Sequence, residues 1–131
     1  MKNWIVALAI LILPMVAYFV LDKTHGNKAA FEAVAAGKPT VIKFSSTMCL
    51  DCKKLKKVTD EVIPTYKNDI NFQEIDAQAK NKESQALIRK YNVTLVPTCV
   101  FLKKDGTVYK RTEGFIEKDE FESYIKGLIN G

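Results

Sequence analysis

Residues 45–57 read SSTMCLDCKKLKK, with Cys49 and Cys52 three apart and Lys53, Lys54, Lys56 and Lys57 behind them. Such a pair can hold a metal, staple a loop or exchange electrons. A structural zinc site needs four ligands, commonly two such pairs or one pair with histidines. Only Cys99 and His25 remain in the chain, and neither has ligand spacing. A staple across so short a loop restricts the unfolded chain very little. Electron exchange suits the position better. The run PTVIKFSS, 39–46, is β-rich and ends just before the pair, and a helix is predicted from about Cys49. The first cysteine would then meet the unpaired N–H groups and positive dipole end of that helix, which stabilise a thiolate. Cys49 is the expected nucleophile, and Cys52, one turn later, can close on it and release a mixed disulfide.

The rest of the chain alternates around this unit. Asn27 can cap a helix running to about Ala36, which Gly37 ends. The helix after Cys49 carries Leu55, Val58, Val62 and Ile63 on its apolar side, and Pro64 should kink or end it. INFQEID, 70–76, reads as a strand, and NKESQALIRKYNV, 81–93, as a helix with Ala86, Leu87 and Tyr91 at helical spacing. TLVPTCVFLKK, 94–104, is a strand with Pro97 near its start, and Asp105-Gly106 turns the chain into TVYKRTEG. A last helix, 117–129, places Phe121, Ile125, Leu128 and Ile129 on one side. The β-α-β unit implies a parallel strand pair and the hairpin an antiparallel one, so the sheet is mixed, with helices on both faces.

With 131 residues the chain fits one domain and an appendage. It is 47% hydrophobic and 27% charged, enough for a core without a disulfide lattice, which three cysteines could not build. The net charge of +5 is a mild bias. No basic stripe interleaves with aromatics, so no nucleic-acid partner is expected. The appendage is WIVALAILILPMVAYFVL, residues 4–21, without a charge. As a helix it would span about 27 Å, close to a bilayer core. Trp4 at one end and Tyr18 and Phe19 at the other suit its interfaces. A cleaved signal peptide is the rival reading, but no small-x-small site follows the apolar run. The expected organisation is a transmembrane anchor over 1–22, a polar linker over 23–27 and a globular domain over 28–131.

At this point the chain resembles the thioredoxin family, over about residues 28–131. Four features carry the likeness in order: VIKFSSTMCLDCK; YNVTLVPTCVFLKKDG; Gly114 after the last strand; and the closing amphipathic helix. The resemblance implies a thioredoxin-like α/β fold with a central mixed four-stranded sheet flanked by helices, the first strand lying between the second and the proline strand. It implies that Val96-Pro97 is cis, that the backbone of Val96 pairs with an extended substrate segment, and that Pro97 keeps stray ligands off the thiols. The activity implied is thiol–disulfide exchange on protein disulfides. Cys49 and Cys52 form the redox-active disulfide, no other cofactor or metal is called for, and a separate redox protein donates electrons. An anchored member would work outside the cytoplasm, in a bacterial envelope. The competing class is a thioredoxin-fold binding or assembly module with idle cysteines; a metallochaperone using the same pair is a third.

The departures from the family pattern are informative. Met48 replaces the usual tryptophan and, with Leu50, would give the site an apolar rim for docking a protein. Leu50-Asp51 replaces the usual Gly-Pro. A carboxylate at Asp51 disfavours the thiolate form and points toward a reductant. Lys43 stands where the family has a buried acid, six residues before the first cysteine. It could serve as a base of depressed pKa if buried; the expectation is that its stem packs while its amine reaches solvent. The four lysines after Cys52 are expected to form a solvated helix face. Cys99, two past Pro97, should point into the core unpaired.

Overall fold

The computed structural model describes residues 2–24 and 37–131, with side chains described for 3–18 and 37–131. The helix expected from Asn27 to Ala36 and His25 lie outside the described residues. The first element is α1 (Lys2–Thr24), with Pro14 inside it. Among the described residues no helix is long and apolar enough to cross a membrane. The described side chains of α1 stop at Tyr18, short of Leu21, where the expected span closes.

The domain then runs β1 (Thr40–Ser45), α2 (Leu50–Tyr66), β2 (Asn71–Asp76), α3 (Lys82–Lys90), β3 (Thr98–Leu102), β4 (Val108–Glu113) and α4 (Lys118–Asn130). The sheet order is β2-β1-β3-β4. β1 pairs with β2 in parallel and with β3 antiparallel, and β3 pairs with β4 antiparallel. This is the mixed sheet expected from one crossover and one hairpin. The crossover between β1 and β2 is α2, so the cysteine pair lies at the carboxyl end of a central strand.

Helices cover both faces, which is why every residue of β3 is buried. On one face Val41, Cys99 and Phe101 pack against Leu55 and Val62 of α2 and Phe121, Ile125 and Leu128 of α4. The Phe101 and Phe121 rings meet at 5.6 Å in a tilted arrangement. On the other face Ile42, Phe44, Val100 and Leu102 pack against Ile75 and Leu87.

Two expected boundaries shift, and Pro64 does not end its helix. α2 continues past Pro64 to Tyr66. A proline so near the end forfeits only one ladder bond, to the Asp60 carbonyl, and α2 absorbs it. The strand expected over 94–104 begins only at Thr98, because residues 94–97 form a loop ahead of the sheet. α3 stops at Lys90 rather than Val93. Tyr91 caps it and Asn92 turns into the left-handed region at φ 48°. Arg111 of β4 holds that turn, its guanidinium donating to the Tyr91 and Asn92 carbonyls.

Candidate functional site: the cysteine pair at the head of α2

Cys49 is the N-cap of α2, with extended backbone at φ −93° and ψ 121°. Its sulfur accepts the Cys52 N–H at 3.1 Å, so it meets one of the donors a helix start leaves unpaired. Cys49 and Cys52 stand at disulfide distance, with Cα atoms 5.2 Å apart. The two differ in access: Cys52 is buried against the sheet, and Cys49 is half-buried. An incoming disulfide therefore meets the Cys49 sulfur first, and Cys52 is reached only from within.

The loop before β3 faces the pair. The Val96–Pro97 peptide is cis, and the Val96 carbonyl oxygen lies 3.7 Å from the Cys49 sulfur. The loop is pinned from two sides. The Thr98 hydroxyl donates to the Leu95 carbonyl at 2.7 Å, and the Gly114 N–H donates to the Pro97 carbonyl at 2.8 Å. Gly114 sits at φ 89°, a conformation that favours glycine, which accounts for that residue directly after β4. Pro97 itself is buried.

Around the sulfur the surface is apolar. Met48 is 84% and Leu50 74% exposed, and Leu95, the residue before Val96, is exposed as well. A hollow of about 270 Å³ opens next to Val96, lined by Ser46, Ala77, Ile88 and Val93 among others. Asp51 is exposed and lies 3.6 Å from Lys54, so a neighbouring cation offsets the carboxylate beside the pair. Lys53, Lys54, Lys56 and Lys57 are all exposed, the solvated face expected of them.

Lys43 corrects the expectation made for it. Its amine does not reach solvent: the side chain is 0% exposed. Strand alternation turns it to the same face as Val41, under α2, and the roof is closed there. The ammonium lies 3.3 Å from Glu74 Oε2 and donates to Thr59 Oγ1 at 3.3 Å. It also lies 5.9 Å from the centre of the Phe72 ring. Glu74 faces it directly in the β1–β2 register, and its other oxygen accepts from the Ser45 hydroxyl at 2.9 Å. The stem cannot carry the amine outward because its partners meet it inside. Glu74 and Thr59 were not singled out by sequence reasoning. Both look like ordinary surface-helix and strand residues, and only a register that pairs VIKFS with NFQEID sets a carboxylate opposite the lysine.

Cys99 is a free, buried cysteine, as strand alternation suggested. Burial pushes its thiol up to about 12 from 9.0, while Lys43 across the strand pair pulls the other way and loses. Among the described residues no cluster of histidine, cysteine and acidic side chains is arranged to hold a metal.

An accessible sulfur on a helix N-cap, a buried partner one turn on and a proline loop whose Val96 carbonyl faces the first sulfur define a thioredoxin-fold dithiol domain. The comparisons agree: the thioredoxin-like domain family matches residues 26–129, and the chain belongs to that family. It is similar to the thiol:disulfide interchange protein DsbD of Yersinia pestis, 30% identical over 99 residues, covering 72% of this chain and 16% of that protein. It is similar over a greater share to the thiol-disulfide oxidoreductase ResA of Bacillus cereus, 27% identical over 129 residues, covering 84% of this chain and 74% of the relative. Among solved structures, chloroplastic thioredoxin z superposes with a TM-score of 0.64 at 22% identity, covering 80% of this chain and 92% of that one. That likeness speaks for the fold alone.

Proposed function

We propose that the protein is a membrane-tethered thiol–disulfide oxidoreductase that reduces protein disulfides through Cys49 and Cys52. The observation that carries this reading is the placement of the Cys49 sulfur. It sits on the N-cap of α2, accepts a helix N–H, and faces the Val96 carbonyl, with its resolving partner buried behind it. In the reaction the Cys49 thiolate attacks one sulfur of a substrate disulfide. The S–S bond breaks and the first substrate thiolate leaves. Cys52 loses its proton to solvent and attacks the Cys49 sulfur, closing the Cys49–Cys52 bond and releasing the second substrate thiolate. Two electrons pass from the dithiol to the substrate, and a separate redox protein returns them. Val96 and Pro97 bind the substrate chain in extended form, and Met48 and Leu50 meet the partner with apolar surface.

The tether is the N-terminal segment. The described side chains of α1 are exposed all round, among them Trp4, Ile5, Leu8, Leu11, Ile12 and Met15. A helix apolar on every side is stable where lipid covers it rather than water. We place the domain outside the cytoplasm, in a bacterial envelope, because relatives in the comparisons carry disulfide-interchange names in bacteria. An envelope reductase needs an anchored partner where no soluble reductant is available.

The test is the equilibrium of the full chain, in detergent micelles, with glutathione or dithiothreitol. A reversible Cys49–Cys52 couple more reducing than glutathione is expected. Absence of a disulfide between these two cysteines would replace the enzyme by a binding module. Resistance of the protein to carbonate extraction from membranes tests the tether separately.

A further inference from the structure

Among the described residues Lys43 heads the fully buried side chains by size, and it is the one there that carries a full charge. A buried ammonium costs several kcal/mol in desolvation, and a methionine of similar volume would fill the same space at no such cost. Here the ammonium is not left alone, but its arrangement is lopsided. Its carboxylate partner lies toward the sheet edge, on β2, with a side chain 42% exposed. Glu74 also feels the Lys56 ammonium from α2. The positive end of the pair thus points inward, and the negative end is solvated and shared.

The inward side faces α2, the helix that carries both cysteines at its start. The ammonium bonds to Thr59, and Thr59 and Cys52 lie on the same buried face of α2, with Leu55 between them. Seven residues of helix separate them, about 10 Å. Across the sheet Lys43 faces the Cys99 thiol of β3 and, beyond it, Thr112 of β4, neither of which carries a charge that would cancel its own.

We infer that the buried Lys43 ammonium, held in place by Glu74, is a fixed counter-charge to the thiolate of the dithiol, above all to Cys52, whose sulfur shares its buried face of α2. This rests on the dithiol reading above. Lys43 and Glu74 are positioning residues that act through charge. Lys43 moves no proton: the Cys52 proton goes to solvent, and the ammonium lowers the energy of the anion left behind. The anion attacks Cys49 and is consumed as the intramolecular disulfide forms. In the fully reduced protein the same charge favours the thiolate and so the dithiol over the disulfide.

The size follows from Coulomb's law. Taking the two-turn rise between Thr59 and Cys52, about 10 Å, as the scale of the separation, a unit charge at an effective dielectric near 20 is worth about a tenfold change in thiolate fraction. Glu74, further out, opposes it by a smaller amount that Lys43→Met leaves in place, and screening by water trims the Lys43 effect itself to roughly three- to tenfold.

The experiment uses the full chain in detergent micelles, with thiolate absorbance near 240 nm read against pH and the disulfide equilibrium read against glutathione. Lys43→Met should raise the thiol titration by roughly half to one pH unit and shift the glutathione equilibrium roughly three- to tenfold toward the disulfide. Glu74→Gln should move both readings the opposite way. General loosening of the fold would move the two variants in the same direction, and that result overturns the inference. So does a folded Lys43→Met protein with both readings unchanged. If Lys43→Met does not fold, Glu74→Gln decides: a downward titration supports the counter-charge, and no shift refutes it. The unsubstituted protein guards the underlying reading. If it forms no reversible disulfide with glutathione, the dithiol function itself has failed, whatever Lys43 does.

Discussion

The three cysteines should react with an alkylating reagent on very different time scales, and Cys99 sets the extreme. Only the thiolate is alkylated. Burial lifts the Cys99 thiol from 9.0 to about 12. At pH 8 that lowers its thiolate fraction about a thousandfold relative to an unshifted thiol. Access lowers it further, because Cys99 is 1% exposed and sits in the central sheet between β1 and β4. Reagent reaches it only when that sheet opens, and core strands open at close to the full free energy of unfolding. Cys49, by contrast, is half-exposed and its sulfur accepts a helix N–H. In the reduced protein at pH 8, iodoacetamide should modify Cys49 first and Cys52 more slowly, with Cys99 untouched over the same hours. Timed quenching, digestion and mass spectrometry would give the three rates. Labelling of Cys99 within tenfold of Cys49 in folded protein would refute the reasoning, because it would require an accessible, ionised thiol in the middle of the sheet. In denaturant all three rates should converge.

The same shift has a thermodynamic counterpart. A thiol that stays protonated in the folded chain up to about 12, but ionises near 9.0 when unfolded, contributes stability that is complete below pH 9 and is lost as pH rises toward 12. Cys99→Val should flatten that alkaline loss, by about 1.4 kcal/mol for each pH unit in the window, as read from urea midpoints. Phe121→Ala removes a fully buried ring that packs on Phe101 at 5.6 Å, and should cost about 3–5 kcal/mol in the same urea titration. A loss under about 1 kcal/mol would mean that α4 does not close the core as described. Cys52→Ala should trap a covalent complex with a protein disulfide, seen on non-reducing gels, while Cys49→Ala should trap none; a reversed pattern would exchange the roles of the two sulfurs.

Much of this architecture was legible in the chain because its signals are local. VIKFSSTMCLDC places a strand, a cysteine at a helix start and a second cysteine one turn on, and these follow from periodicity and capping alone. The apolar spacing of Phe121, Ile125 and Leu128 predicted the face of α4 that is buried. The alternation of TCVFL also pointed Cys99 inward. Boundaries were less legible. Asn92 at φ 48° ends the α3 region and Pro97 delays β3, both through loop geometry that propensity does not encode. Lys43 is the clearest case of what lay beyond the sequence. Alternation puts it on the face of Val41, but a lysine stem long enough to reach solvent leaves its amine undecided. The outcome depends on Glu74, thirty-one residues on in the chain, falling opposite it in the β1–β2 register, and on Thr59 descending from α2. Helix starts, strand faces and the cysteine pair were determined by short-range pattern. Whether a charge is buried under α2 was decided only when two strands and a helix converged, because desolvation and ion pairing depend on neighbours in space rather than on neighbours along the chain.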